Sequence, residues 1–342
     1  MEKRYRPAWW LPGGHLQTLW PALMRRSAEV RVRRERVELE DGDFLDLDWL
    51  ANGPATGPVV VLLHGLEGSL ESHYLPGLMR GLGELGLRPV LMYHRGCSGE
   101  PNRTHRRYTG GDTGDLARVV ALLEEREPDT PLAAVGFSLG ANLLLKWLGE
   151  TGAENPLAAA AAVSPPFRLD RAAARLERGL SRIYRGHLLR SLRASVAARY
   201  ADRPQTSPVS LERVRAASSF REFDDAFTAP VHGYAGVDDY YHRASCRSYL
   251  GDITVPTLVL HALDDPFTTP DAVPGDDELS PAIRLELHRH GGHVGFVTGR
   301  IPGRPGYWIE ERVARYLSGA LSSKFHRPDQ PLSHSATSLS PR

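Results

Sequence analysis

The chain is poor in cysteine and has no long hydrophobic run. Cys97 and Cys246 are the two cysteines among 342 residues, and neither belongs to a CxxC pair, which excludes a disulfide framework. No stretch approaches the roughly 20 apolar residues that a membrane-spanning helix needs. The first residues carry charge without the apolar core of a signal peptide. These absences predict a cytoplasmic protein whose two thiols are packed rather than reactive.

The sequence also lacks an excess of charge of either sign. Lys and Arg total 42, Asp and Glu total 41, and the formal net charge is +1. A balance of this kind does not indicate a nucleic-acid-binding protein, because such proteins carry a strong positive excess. With 41% hydrophobic residues, the composition is that of a soluble globular protein, and the length allows about two domains.

What is present is a regular alternation of strands and helices. An Asp-Gly turn at residues 41–43 lies between two alternating runs, which predicts a β-hairpin over residues 29–50. The apolar strands predicted after it are residues 59–63, 89–93, 132–135, 157–163, 257–261 and 282–287. The helices predicted between and after them are residues 74–85, 112–125, 141–148 and 306–321. This order predicts an α/β fold, with a mostly parallel sheet and helices on both faces.

The alternation is interrupted once, which sets the predicted domain organisation. We expect an N-terminal arm (1–28), an α/β core (29–166 and 250–321), a helical cap insertion (167–249) and a disordered Ser/Pro-rich tail (322–342). The insertion has helical runs but no apolar strand, and its longest run, residues 171–200, is predicted to break near Gly186. We expect the insertion to cover the sheet.

The insertion is rich in arginine, and two interpretations of this remain open. The ten arginines are Arg168, Arg171, Arg175, Arg178, Arg182, Arg185, Arg190, Arg193, Arg199 and Arg203. The first interpretation is a solvated basic face. The second is attraction to an anionic headgroup or weak contact with a membrane surface. For the arm at residues 9–26, the alternatives are packing on the body of the protein and contact with a membrane surface, and packing is favoured because the segment is short.

The stretch from residue 135 to 142 contains Gly-x-Ser-x-Gly centred on Ser138, with a strand before it and a helix after it. Flanking glycines let the strand and helix approach each other around a sharp turn that exposes the serine hydroxyl. An ordinary glycine-rich loop is the alternative. The flanking elements favour a nucleophilic serine, with the Leu139 amide N–H directed at the atom under attack.

A serine hydroxyl needs a base to accept its proton, and the base needs a group that fixes its tautomer. Asp265 and His293 each follow a predicted strand, so both are expected at the same edge of a parallel sheet as Ser138. The order Ser, Asp, His is that of α/β-hydrolases. Asp264 and His290 are the alternative acid and base. The proline turn after Asp265 favours Asp265 as the acid, and the two glycines before His293 favour His293 as the base.

Two further site predictions concern backbone amides and metal. The loop at residues 64–68 follows the first apolar strand, and its Leu66 N–H is expected to complete an oxyanion hole with the Leu139 N–H. His288, His290 and His293 have a spacing that zinc sites also use, but no carboxylate or cysteine nearby completes a ligand set. We therefore expect no metal and no cofactor.

These motifs resemble the YheT-like branch of the α/β-hydrolase superfamily, which is related to ABHD-type esterases and phospholipases. The resemblance rests on the segments at residues 15–18, 64–68, 93–99, 136–142, 261–267 and 290–296, and it extends from about residue 9 to 316. It implies a nucleophile at Ser138, an acid at Asp265 and a base at His293. It also implies a carboxylic ester hydrolase.

The predicted function is therefore a serine esterase that cleaves short- or medium-chain acyl esters or lipid esters through an acyl-enzyme on Ser138. Acyl transfer to an alcohol would use the same three residues and differs only in the acceptor, so it remains an alternative. A non-catalytic binding protein on the same scaffold is the third. The expected partner is a small ester or lipid and not nucleic acid, and no feature of the sequence indicates an oligomeric state.

Overall fold

The structure is a computed structural model that describes residues 4–25, 29–201 and 204–325. Its strands are β1 Val32–Glu38, β2 Phe44–Leu50, β3 Val59–Leu63, β4 Arg88–Met92, β5 Leu132–Phe137, β6 Ala159–Val163, β7 Thr257–Ala262, β8 Ile283–His288, β9 Val297–Thr298 and β10 Gly306–Tyr307. Strands β1 to β8 form one sheet in the order β1-β2-β4-β3-β5-β6-β7-β8. The short strands β9 and β10 pair with each other.

The sheet is antiparallel at one edge and parallel elsewhere. Strands β1 and β2 form the predicted hairpin, with Val37 opposite Leu45, and Gly42 adopts a φ of 80° at its turn. Strand β2 runs antiparallel to β4, whereas strands β3 to β8 are parallel to one another. The carboxyl ends of the parallel strands therefore meet at one edge of the sheet, where ligand sites of open α/β sheets form.

The helices are α1 Gly14–Met24, α2 Leu75–Glu84, α3 Gly114–Arg126, α4 Leu139–Thr151, α5 Leu169–Leu176, α6 Ser181–Arg199, α7 Leu211–Ala216, α8 Phe220–Phe223, α9 Ala229–Val231, α10 Val237–Ala244 and α11 Trp308–Phe325. Side chains alternate across each strand, so β3 contributes Val60 and Leu62 to one core cluster and Val59, Val61 and Leu63 to another. The first cluster includes residues of α2 and α11, and the second includes residues of α3 and α4. The predicted helices on both faces are confirmed.

The described part of the segment between β6 and β7 consists of helices joined by turns and loops, with no strand, and it packs around clusters of its own. It comprises α5 to α10, with a π-helical turn at Asp224–Thr228. The prediction of a break near Gly186 is wrong, since Gly186 lies inside α6. The helix is interrupted instead at residues 177–180, where Gly179 adopts a left-handed φ of 54°. A glycine weakens a helix interior by about 1 kcal/mol but ends the helix only where the backbone turns left-handed.

Two boundaries concern the ends of the chain. Helix α11 continues to Phe325, and the rest of the predicted disordered tail lies outside the described residues. So do residues 1–3 and 26–28 of the predicted arm, and Arg203 of the predicted cap. None of the helices in the described ranges combines the length and hydrophobicity required to cross a bilayer.

Candidate active site

Ser138 occupies a strained turn between β5 and α4. Its backbone has φ 51° and ψ −118°, an unusual conformation for a residue with a side chain. The Ser138 N–H donates to Val163 O at 2.9 Å, which ties the turn to β6. The strain is maintained because strand and helix are both fixed by packing on either side of it. The turn places the hydroxyl at the carboxyl edge of the sheet.

The two glycines of the motif make this turn sterically feasible. A Cβ atom on Gly136 would lie 2.4 Å from Gly140 O and 2.6 Å from Ala141 Cα. A Cβ atom on Gly140 would lie 2.5 Å from His64 O. These are backbone atoms that cannot rotate away, so glycine is required at both positions for α4 to approach β5 and β3.

Ser138, His293 and Asp265 form a continuous hydrogen-bonded series. His293 Nε2 lies 2.8 Å from Ser138 Oγ, and His293 Nδ1 lies 2.8 Å from Asp265 Oδ2. A carboxylate only accepts, so Nδ1 carries the ring proton and Nε2 accepts the serine hydroxyl proton. The fold therefore brings together side chains that are distant in sequence: Ser138 is 155 residues from His293, and Asp265 is 28 residues from it.

The carboxyl group of Asp265 is buried, with 3% of the residue exposed. Burial raises the pKa of a carboxyl group, but the His293 imidazole and the Phe267 amide, which donates to Asp265 Oδ1 at 2.8 Å, hold the Asp265 pKa below its usual value. The group is therefore ionised at neutral pH. An ionised acceptor at this position fixes the imidazole tautomer and stabilises an imidazolium.

Three contacts hold His293 in place. The Phe267 ring stacks on the imidazole with centroids 4.0 Å apart and an interplanar angle of 11°. The His293 backbone amide donates to Thr18 Oγ1 of α1 at 2.8 Å. The next residue, Val294, has a left-handed φ of 54°, and its amide donates to Ser164 Oγ at 3.0 Å. The ring is thus fixed by a neighbour on its face and its loop by hydrogen bonds to two other segments.

The alternative acid and base make different contacts. Asp264 Oδ1 accepts the Gly292 amide at 2.9 Å, and Asp264 Oδ2 lies 3.2 Å from His290 Nδ1. Asp264 therefore supports the loop before His293. His288 packs against aromatic rings, including Trp308. The three histidines at residues 288–293 thus have separate partners. The described residues contain no group of three or more His, Cys, Asp or Glu arranged to hold a metal ion.

The loop after β3 lies against the nucleophile. Burial lowers the pKa of His64 well below its usual value, so its imidazole is neutral. His64 Nε2 accepts the His94 amide at 3.1 Å, which leaves the proton on Nδ1, 2.7 Å from Gly65 O. A Cβ atom on Gly65 would lie 3.2 Å from Ser138 Cβ. His64 therefore orients the Gly65 peptide beside Ser138.

The amides predicted to form an oxyanion hole belong to Leu66 and Leu139, which border one pocket with Ser138 and His293. Within the described residues, neither amide N–H donates a hydrogen bond to the protein. Unpartnered amides beside a nucleophile are the arrangement that stabilises a developing oxyanion. Their assignment as an oxyanion hole stays a prediction.

Glu67, in the same loop, connects it to the cap. Glu67 has a left-handed φ of 53°. Its Oε1 atom accepts from Arg107 Nη2 at 2.6 Å and from the Tyr108 hydroxyl at 2.8 Å. Its Oε2 atom accepts from Ser191 of α6 at 3.0 Å. The loop that carries Leu66 is therefore held from the core and from the cap together.

Above Ser138 lies a mainly apolar pocket roofed by the cap. It contains about 900 Å³ of unfilled space, part of it open to solvent. The cap residues that give it its apolar character include Leu176, Leu188, Leu192, Phe220, Phe223 and Phe227. A pocket of this shape and polarity accommodates an acyl chain or another apolar group.

One acidic side chain from the cap also lines this pocket. Asp224 accepts hydrogen bonds from Thr228 Oγ1 at 2.7 Å and from the Tyr241 hydroxyl at 2.8 Å. No basic side chain of the described residues forms an ion pair with it. Its desolvation raises its pKa to about 6. The pocket is thus mainly apolar, and Asp224 supplies the one carboxyl group among the described residues that line it.

Sequence reasoning did not find Thr18, Glu67 or Asp224 as parts of the site. Thr18 and Glu67 belong to segments that the family resemblance includes. Their roles depend on contacts with residues that are distant in sequence, and the sequence does not show these contacts. The one available signal for Asp224 is an acid next to Phe223 in a helical run, a pattern that surface helices share.

A family model described as alpha/beta hydrolase fold matches residues 58–300. The chain is 42% identical to the Escherichia coli protein called "Putative esterase YheT", over 91% of this chain and 92% of that one. It is 33% identical to the mouse protein called phospholipase ABHD3, over 95% of this chain and 80% of that one.

Solved structures show the same fold at lower identity. An esterase of Pyrococcus furiosus, Pf2001, superimposes with a TM-score of 0.55 at 19% identity, covering 86% of this chain and 91% of that one. At this identity the similarity concerns the fold alone.

Proposed function

The chain belongs to the α/β-hydrolase family, in its YheT-like branch, and on that premise we propose that it is a serine esterase. Its substrates are carboxylic esters of short- or medium-chain acyl groups or of lipids. The observation that supports the proposal most is the hydrogen-bonded series from Ser138 Oγ through His293 to Asp265. The names of the relatives, an esterase and a phospholipase, agree with an ester substrate.

In the proposed reaction the Ser138 hydroxyl transfers its proton to His293 Nε2 while its oxygen attacks the ester carbonyl. The negative charge that develops on the carbonyl oxygen is stabilised by the Leu66 and Leu139 amides. The imidazolium, held by Asp265, then protonates the leaving alcohol, and an acyl-enzyme remains on Ser138. Water, deprotonated by the same imidazole, releases the carboxylic acid and regenerates the serine.

The pocket supports an apolar substrate. Its cap wall is built from leucine and phenylalanine side chains, and Ser138, Leu139 and His293 also line it. Transfer of an acyl chain from water to such a wall contributes about 0.8 kcal/mol per buried methylene group. We therefore expect kcat/KM to rise with acyl length until the chain fills the pocket.

The proposal is tested by measuring kcat with p-nitrophenyl butyrate for the variants Ser138→Ala and His293→Ala, with His290→Ala as the matched control. The first two variants are expected to lose about 10⁴-fold or more in kcat, because the residues of a triad act as a unit. His290→Ala, whose side chain contacts Asp264, is expected to retain most activity. A fluorophosphonate probe should label the wild-type protein but not Ser138→Ala. Retained turnover in Ser138→Ala would refute the assignment.

A further inference from the structure

Helix α1 has the reverse of the usual polarity. Its buried residues are Gly14, Gln17, Thr18 and Pro21. Its exposed residues include Leu16, Leu23 and Met24, with 45%, 73% and 62% of their surfaces accessible. A surface helix normally buries its apolar side chains and exposes its polar ones. The arrangement in α1 therefore requires a reason.

The inward polar face of α1 accepts hydrogen bonds from the segment that carries His293. Gln17 Oε1 accepts the Val297 amide at 2.7 Å, and Thr18 Oγ1 accepts the His293 amide at 2.8 Å. Backbone approaches are equally close, because a Cβ atom on Gly295 would lie 2.2 Å from Gln17 O. The inner face thus secures the loop that carries His293. This role places no requirement on the outward side chains.

The cap contacts α1 at His15, the residue before Leu16. His15 Nδ1 lies 3.1 Å from the Tyr184 hydroxyl, and the two rings stack with centroids 5.8 Å apart. This contact joins α1 to the first turns of α6, where Leu180 and Ile183 are 61% and 64% exposed. We call Leu16, Leu23, Met24, Leu180 and Ile183 the outer apolar face.

The outer apolar face lies close to the candidate active site. The Tyr184 ring contacts Phe267 with centroids 5.0 Å apart, and Phe267 stacks on His293 at 4.0 Å. Phe267 and His293 both line the pocket. Two ring contacts therefore connect Tyr184, the residue after Ile183, to His293 beside Ser138.

Two arginines next to the cap part of this face have no acidic partner within the described part of the chain. Arg178 and Arg182 flank Leu180 and are exposed, and no ion pair joins either one to a described residue. Arg185, one turn further along, pairs with Glu177. Exposed apolar side chains bordered by free arginines match the interface of an anionic bilayer, which takes up leucine and isoleucine and attracts guanidinium groups. A protein partner would more often pair such charges.

We propose that the outer apolar face docks on the surface of an anionic lipid bilayer, with α1 lying in the interfacial plane. The pocket then opens beside the membrane, so an ester with poor water solubility reaches Ser138 without crossing bulk water. Because Thr18 of the same helix accepts the His293 amide, the docked helix is also the one that positions the base. Docking on a bilayer is independent of the proposed serine esterase reaction, because it involves a different surface of the protein.

The experiment is flotation of the full chain with vesicles of phosphatidylcholine, with or without phosphatidylglycerol. Wild-type protein is expected to float with the vesicles that contain phosphatidylglycerol. The double variant Leu16→Glu/Leu23→Glu is expected to lose about tenfold or more in vesicle partition, because two anchoring side chains become charged. Leu85→Glu is the matched control, since Leu85 is also 45% exposed but lies near the start of β4, at the opposite edge of the sheet from Ser138.

Further measurements separate the possible outcomes. The double variant should retain wild-type kcat with soluble p-nitrophenyl butyrate, and Ser138→Ala should float as the wild type does, whatever its activity. Wild-type protein that stays at the bottom of the gradient with anionic vesicles would overturn the proposal. So would equal flotation of the double variant. A wild-type dimer that the double substitution dissociates, seen by light scattering, would assign the face to a second copy of the chain instead.

Discussion

Thr18 Oγ1 accepts a hydrogen bond from the His293 backbone amide at 2.8 Å, across a sequence separation of 275 residues. The same hydroxyl donates to Gly14 O within α1 at 2.7 Å, which fixes its direction. The N-terminal arm therefore supports the loop of the proposed base. Thr18 touches no reacting atom, so it is a positioning residue.

Replacing Thr18 by valine tests this role. Thr18→Val keeps the shape of the side chain but leaves the His293 amide without an acceptor, and we expect kcat to fall about tenfold to a hundredfold. KM should change little, because the pocket wall is untouched. Thr18→Ser should restore most of kcat. Equal kcat in the valine and serine variants, measured with p-nitrophenyl butyrate, would remove Thr18 from the mechanism.

The two adjacent acids are predicted to differ sharply. Asp265→Asn should lower kcat by about 10⁴-fold, because an amide that donates to His293 Nδ1 favours the wrong tautomer. Asp264→Asn keeps an oxygen that accepts the Gly292 amide, so we expect a loss of less than about tenfold. Both values come from steady-state kinetics with the same soluble ester. A larger loss in Asp264→Asn would exchange the roles of the two residues.

Two glycines provide a matched pair for stability. A Cβ atom on Gly140 would lie 2.5 Å from His64 O and 2.7 Å from Leu63 O, whereas one on Gly81, inside α2, meets nothing within 4 Å. We expect Gly140→Ala to lower the free energy of unfolding by more than about 2 kcal/mol. Gly81→Ala should raise it by about 0.5–1 kcal/mol. Urea denaturation measures both, and a stable Gly140→Ala would contradict the close approach of α4 to β3.

Asp224 is predicted to make stability depend on pH. Its pKa is raised from 3.8 to about 6 by burial, so the folded protein binds a proton more tightly than the unfolded chain does. The cost of the buried charge is absent below about pH 4 and complete above about pH 6. Asp224→Asn should therefore be more stable than wild type by roughly 3 kcal/mol at pH 8.

The same comparison of Asp224→Asn with the wild type at pH 4 should give little difference, because both side chains are then neutral. Urea unfolding at the two pH values checks the sign. A difference that is constant with pH would place the cost in the hydrogen bonds from Thr228 and Tyr241 rather than in the charge.

Local patterns in the sequence were sufficient for the order of the core elements. The Asp-Gly turn gave the β1–β2 hairpin because few residues tolerate the positive φ found at Gly42. Continuous apolar runs gave the parallel strands, and the family resemblance is confirmed. Ser138, Asp265 and His293 were predicted to meet because each follows a strand, and the carboxyl ends of parallel strands lie at one edge.

The sequence by itself determined these features because each depends on neighbours along the chain. A turn depends on its glycine, and a strand depends on its apolar run. The edge of the sheet at which a residue lies depends on the strand that it follows. Only the tertiary structure decided that Thr18 supports His293, that Asp264 holds the Gly292 amide and that Asp224 enters the pocket. The same holds for the apolar side of α1, which faces outward. These relationships depend on which distant surfaces pack together, and the energy of such packing is set by shape and burial that no local pattern encodes.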